Sequence, residues 1–185
     1  MLLSEIWAVM LNNRAKKDSQ KVLDLLDIHA GDTIADIGSG GGYFTFELAK
    51  RTGQNGKVYA ADTNKRFLTR IESVARKNSL HNIETVVCTE DGCPLQRESC
   101  DLVFMRNVFH HIKEPVPYFR KLSEGLKPGG RIAVLDWKNT KGGFVGLSGH
   151  FTPEAEIHRA LKAAGLLIEK SIDILDDQSF NIYRK

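Results

Sequence analysis

The sequence predicts an α/β chain: a doubly wound sheet of about seven strands, mostly parallel with the last strand antiparallel, and helices on both faces. Three observations predict it. Short β-branched runs alternate with longer helical patterns from about Lys21 onward, the pattern of a parallel sheet layered between helices. Glycines crowd the junction between the first such run and the helix after it. The last two runs are separated only by Asp173 to Gln178, too short for a helical crossover, so they form a hairpin and reverse the final strand.

Taken in order, Leu23, Leu25, Leu26 and Ile28 mark a short amphipathic helix stopped near Ala30-Gly31. Thr33 to Ile37 is a buried first strand, and Tyr43 to Arg51 a helix ended by Thr52-Gly53. Lys57 to Ala61 is the second strand, ending at Asp62. Asn64 caps a helix running to about Asn78. Ile83 to Val87 and Leu102 to Met105 are strands three and four, and Pro115 to Gly125 is a helix. Lys127-Pro128-Gly129-Gly130 reads as a turn into strand five, Arg131 to Leu135. Thr152 caps a late helix with Pro153 at its first position. That helix ends near Gly165, and strands follow at about Leu166 to Ile172 and Ser179 to Tyr183.

A length of 185 residues suits one cored domain. The charge balance, 26 basic against 23 acidic residues, contains no basic block beyond the pair Lys16-Lys17, so nucleic acid is not indicated. Cys88, Cys93 and Cys100 are odd in number and form no C-x-x-C, which argues against a disulfide framework or a metal site and for a reducing compartment. The start of the chain carries no membrane-length apolar run, so a cytoplasmic location is expected. Ile6, Trp7, Val9, Met10 and Leu11 give residues 1–20 an apolar face. This segment reads as a helical cap or a surface for a homodimer, set apart from a main domain at 21–185.

The stretch Asp36-Ile37-Gly38-Ser39-Gly40-Gly41-Gly42 follows a strand and opens a helix. Glycine there lets the backbone turn tightly and a ligand approach the amides. A dinucleotide fingerprint needs glycine at position 43, where the chain has Tyr43. An acid leading the loop would repel a pyrophosphate, but it suits a cofactor with a positively charged end. Asp62, twenty positions beyond Gly42, can accept hydrogen bonds from both ribose hydroxyls. Thr63 beside it can pack against an adenine.

Asp36 to Gly42, Asp62, Pro94, Asn107-Val108-Phe109-His110-His111 and Leu126-Lys127-Pro128-Gly129-Gly130 together resemble class I S-adenosylmethionine-dependent methyltransferases, in the style of the small-molecule enzymes of quinone biosynthesis and arsenite methylation. The resemblance covers roughly residues 20 to 170. It implies a single Rossmann-like domain, S-adenosyl-L-methionine as methyl donor, a small-molecule acceptor and no metal. It also implies donor contacts at Asp36, Gly38, Ser39, Gly40, Gly42, Tyr43, Asp62 and Thr63, with Arg106 and Asn107 passing the methionine moiety. The family's adenine-binding acid, counted back from Pro94, falls on Thr89, followed by Glu90 and Asp91; this departure leaves the adenine contact within that trio.

Methyl transfer from a sulfonium needs no protonation of its leaving group, so positioning can supply much of the acceleration. A base is needed only where the acceptor must lose a proton. His110, His111 and Asp136 are the weak candidates, with Trp137, Phe144 and the His150-Phe151 pair as pocket walls. The glycine-rich run Lys141 to Gly149 is expected to shield the acceptor. Two other readings remain open at this point: a nicotinamide-dependent oxidoreductase, and a binding module without catalysis.

Overall fold

A computed structural model describes residues 2–138 and 151–185. The run from Lys141 to Gly149, Phe144 and His150 lie outside the described residues, as does the side chain of Trp7. Among the described residues, seven strands make a mixed α/β sheet, and the chain divides into two compact units, Met1–Thr89 and Glu90–Lys185.

The first unit holds α1 (Leu2–Lys16), α2 (Ser19–Leu25), β1 (Thr33–Ile37), α3 (Tyr43–Thr52), β2 (Lys57–Asp62), α4 (Lys65–Lys77) and β3 (Ile83–Val87). β2 lies between β1 and β3 and pairs with each in parallel. In β1 every residue after Thr33 is buried, as a strand covered on both faces requires. Asn64 caps α4 as expected, its side chain accepting from the Arg66 amide at 3.0 Å. Leu68, Ile71 and Ala75 then fall on one buried stripe. The first helix of the main domain is shifted: α2 covers Ser19–Leu25 and crosses the expected boundary at residue 20.

The second unit holds β4 (Cys100–Arg106), a single 3-10 turn (Phe109–His111), α5 (Pro115–Glu124), β5 (Leu126–Trp137), α6 (Glu154–Ala163), β6 (Leu167–Ile172) and β7 (Gln178–Arg184). β4 and β5 are parallel. β7 lies between β5 and β6 and is antiparallel to both. Phe109 stacks on Phe119 of α5, ring centroids 5.4 Å apart.

Two local expectations fail. Lys127-Pro128-Gly129-Gly130 does not precede β5 but lies within it. Cys100 pairs with Leu126 and Leu102 with Arg131, so β5 spends extra residues against β4 and absorbs the turn as a bulge. The late helix begins at Glu154 with Pro153 as its N-cap, and no side chain caps it. Thr152 is not the cap; Glu154 and Glu156 in the first turn complement the helix dipole instead.

The set of three reduced thiols is also corrected. Cys88 and Cys93 are disulfide-bonded, at a C-x4-C spacing that a search for C-x-x-C passes over. Cys100 is a free, buried thiol whose pKa burial pushes up.

Candidate active site

The glycine loop of the first unit is gripped from two sides. On one side, the Gly40 amide donates to Asp62 Oδ2 at 2.8 Å. The other Asp62 oxygen accepts from the Asn64 amide at 2.8 Å, so one carboxylate ties the loop to the start of α4. Each oxygen keeps a further lone pair for a ligand hydroxyl. Gly40 and Gly42 have φ of 51° and 87°, the left-handed region that favours glycine.

On the other side lies α1. Asn12 donates from Nδ2 to the Gly41 carbonyl at 3.0 Å and accepts from the Tyr43 amide at Oδ1 at 3.2 Å. Arg70 of α4 also donates to the Gly41 carbonyl, at 3.1 Å. A Cβ on Gly41 would collide with Asn12 and with the Ala8 carbonyl. Nothing in the sequence flagged Asn12, Arg70 or Ala8. The apolar face read there is the outward one, with Ile6, Val9 and Met10 exposed.

Asp36 is 3% exposed and accepts from Thr45 Oγ1 at 2.6 Å. Burial, reinforced by the negative charge of Asp62, raises its pKa from 3.8 to about 7 against the pull of the Thr45 hydrogen bond. Ser39 Oγ is buried without a hydrogen-bond partner among the described residues, an arrangement that native proteins seldom leave unexplained. The Tyr43 hydroxyl pairs with Ser19 Oγ at 2.8 Å, and its ring meets Phe44 edge-on. Thr63 and Thr89 are exposed. These side chains suit a nucleoside donor: an open carboxylate for ribose, a hydroxyl lacking a partner, and a buried acid beside the loop.

In the second unit, Glu90 is an exposed carboxylate joined to Lys113 Nζ at 2.6 Å, and this pairing holds its pKa below the usual range. Asp91 is exposed as well. Arg106 donates from two nitrogens to Gln178 Oε1, at 3.1 and 2.7 Å, and Gln178 Nε2 donates to Asn107 Oδ1. Gln178 was not singled out in the sequence. Asn107 sits at φ 59°, a strained position for a residue with a Cβ.

His110 and Asp136, read separately in the sequence, form a pair. His110 Nδ1 is 2.7 Å from Asp136 Oδ1, with side-chain exposures of 5% and 0%. The His110 amide donates to Asp136 Oδ2 and the Trp137 amide to Oδ1, each at 2.8 Å. His111 is exposed, its ring 4.0 Å from that of His110. Among the described residues, no group of His, Cys, Asp and Glu could hold a metal ion.

Comparison with known proteins bears on the whole arrangement. Residues 28–151 match the family model described as a methyltransferase domain. An S-adenosylmethionine-dependent methyltransferase from Aquifex aeolicus is 26% identical, with a TM-score of 0.86 and 96% of each chain covered. The arsenite methyltransferase of Halobacterium salinarum is 29% identical over 57% of this chain. The ubiquinone/menaquinone biosynthesis C-methyltransferase of Escherichia fergusonii is 27% identical over 62%. The chain spans 27% and 46% of those two curated relatives, less than half of either. The chain therefore belongs to the methyltransferase domain family, within the class I S-adenosylmethionine-dependent methyltransferases.

Proposed function

We propose that the chain transfers the methyl group of S-adenosyl-L-methionine to a small-molecule acceptor, with the donor on the Asp36–Gly42 loop and its ribose on Asp62. The buried Ser39 hydroxyl without a partner carries this reading, because a donor lying along the loop supplies the polar atom it lacks. When bound, the donor supplies an electrophilic methyl group on a sulfonium. The chain's own part is to fix the loop through Asn12 and Asp62, to accept ribose hydroxyls at Asp62, and to set a carboxylate at Asp36 against the ammonium of the methionine end. Gly38, Gly40 and Gly42 leave room for that approach, and Thr63 borders the adenosine. The adenine contact lies within Thr89, Glu90 and Asp91, of which Glu90 is an exposed carboxylate also paired with Lys113.

Residues 1–20 act as a cap through Asn12, in preference to a homodimer surface. No helix among the described residues is long and apolar enough to cross a membrane; the methyl donor favours a cytoplasmic setting, while the disulfide-bonded Cys88 and Cys93 weigh against the reducing compartment expected from the sequence. An arsenite acceptor is disfavoured because Cys88 and Cys93 are disulfide-bonded and Cys100 is buried. Calorimetry tests the reading: S-adenosylhomocysteine should bind and raise the melting temperature, and NAD(H) should do neither. Stabilisation by NAD(H) alone would refute it.

A further inference from the structure

We propose that a cavity beside α1, on the side of the glycine loop away from Asp62, binds a small amphipathic anion, and that the occupied cavity tightens the loop's hold on the methyl donor. The cavity stands by itself; its link to the donor rests on the proposed function above.

The cavity lies within the first unit and has a volume of about 500 Å³, inside the range of about 300–1,000 Å³ usual for small-molecule sites. Phe46 of α3, Val74 of α4 and Leu80 beyond it supply half-buried apolar wall, and Val9 of α1 adds a side chain that is 48% exposed. This is apolar surface left partly in water, which the apolar body of a ligand would cover. The charged lining residues are Lys16, Lys50 and Glu47. Glu47 is held by Lys50 at 2.7 Å, so the charge left over is the exposed cation of Lys16. An apolar wall with an excess cation at its rim complements an apolar body that carries an anionic head.

Three lining residues also engage the donor loop. Asn12 holds the Gly41 carbonyl and the Tyr43 amide, at 3.0 and 3.2 Å. Tyr43 opens α3 directly after the loop. Phe46 abuts Gly42, where a Cβ would lie 2.9 Å from its Cε2. A ligand that bridges α1 to α3 and α4 favours the arrangement in which Asn12 reaches the loop. A donor lying along the loop favours the same arrangement, so each ligand strengthens the other by one shared factor. The two do not compete for space. α4 has 13 residues, a length of about 20 Å; Asp62 precedes its start, whereas Val74 lies in its last turn and Leu80 beyond it.

The test uses the purified chain with octanoate and octyl phosphate as anionic probes, octanol and octylammonium as controls, and S-adenosylhomocysteine in place of the donor. Amide NMR should show at least one of the anions binding saturably, with shifts in α1, α3 and the end of α4. That anion should bind about threefold or more tightly than either control, the scale of an exposed charge pair. Calorimetry should show it raising the affinity for S-adenosylhomocysteine by about fivefold or more, and S-adenosylhomocysteine raising its affinity by the same factor. Lys16→Glu should weaken the anion by about threefold or more. Asn12→Ala should leave the anion bound and bring the shared factor below about twofold. Saturable binding of neither anion, equal or tighter binding of a control, or shifts elsewhere in the chain would overturn the proposal. So would an anion that leaves S-adenosylhomocysteine affinity unchanged or weakens it, parental anion affinity in Lys16→Glu, or parental coupling in Asn12→Ala. If the chain failed to bind S-adenosylhomocysteine at all, the donor reading would fall, and the NMR measurement would still decide the cavity.

Discussion

Replacing Asp36 with asparagine isolates the cost of a buried carboxylate beside the glycine loop. In the folded chain Asp36 titrates at about 7 against an ordinary 3.8, chiefly because burial disfavours its charge. The folded state therefore keeps a proton that the unfolded state has released. The stability this confers is complete below about pH 4, shrinks as pH rises, and is gone above about pH 7. A shift of about three units corresponds to about 4 kcal/mol in total. By about pH 5 some 1.5 kcal/mol of it is already lost, so about 2.5 kcal/mol remains to be lost by about pH 8. The substituted amide cannot ionise, and its carbonyl oxygen can still accept from Thr45. In ligand-free urea melts, the stability of Asp36→Asn relative to the parent should therefore rise by about 2–3 kcal/mol between about pH 5 and about pH 8. Affinity of the parent for S-adenosylhomocysteine should run the other way, weakening about tenfold from about pH 8 to about pH 6 as the carboxylate is lost. A stability difference that does not change with pH would refute the reasoning.

Three further outcomes are expected. Asp62→Ala should weaken S-adenosylhomocysteine binding by about 1.5–3 kcal/mol, the range for hydrogen bonds to a charged group; calorimetry at fixed pH reads it, and parental affinity would remove Asp62 from the donor site. Gly41→Ala should push α1 off the loop, seen as faster hydrogen exchange at the α1 amides with little change at β4 and β5. Asn12→Ala should lower stability in urea melts by about 1–3 kcal/mol, chiefly through the Tyr43 amide it leaves unpaired, since the Gly41 carbonyl keeps Arg70; donor binding should weaken in step.

What the sequence made legible follows from how local each signal is. β1 and β3 match their expected limits because apolar runs between turn residues are read within a few positions. Asn64 was legible as a cap because its bond spans two residues. The start of β5 was not, because Lys127 to Gly130 carries every mark of a turn, and only the pairing of Cys100 with Leu126 draws it into a strand. The site divides in the same way. The glycine loop and Asp62 form a local pattern. The link from Asn12 to Gly41 spans 29 residues, that from His110 to Asp136 spans 26, and that from Arg106 to Gln178 spans 72. At such separations, neither spacing nor residue type indicates which side chains meet. Placing β7 between β5 and β6 likewise required the three-dimensional pairing, since a hairpin alone does not say which strand faces inward.

That insertion has a consequence for how the protein is made. During synthesis β5 and β6 leave the ribosome before β7, and neither has its neighbour until residues 178–184 emerge. The growing chain therefore carries two unsatisfied strand margins, the exposed Leu167 and Ile168 among them, until β7 is translated. Such margins are where nascent chains stick to one another. Nonsense truncations just short of Gln178 should accordingly be damaging in the cell, through aggregation and degradation.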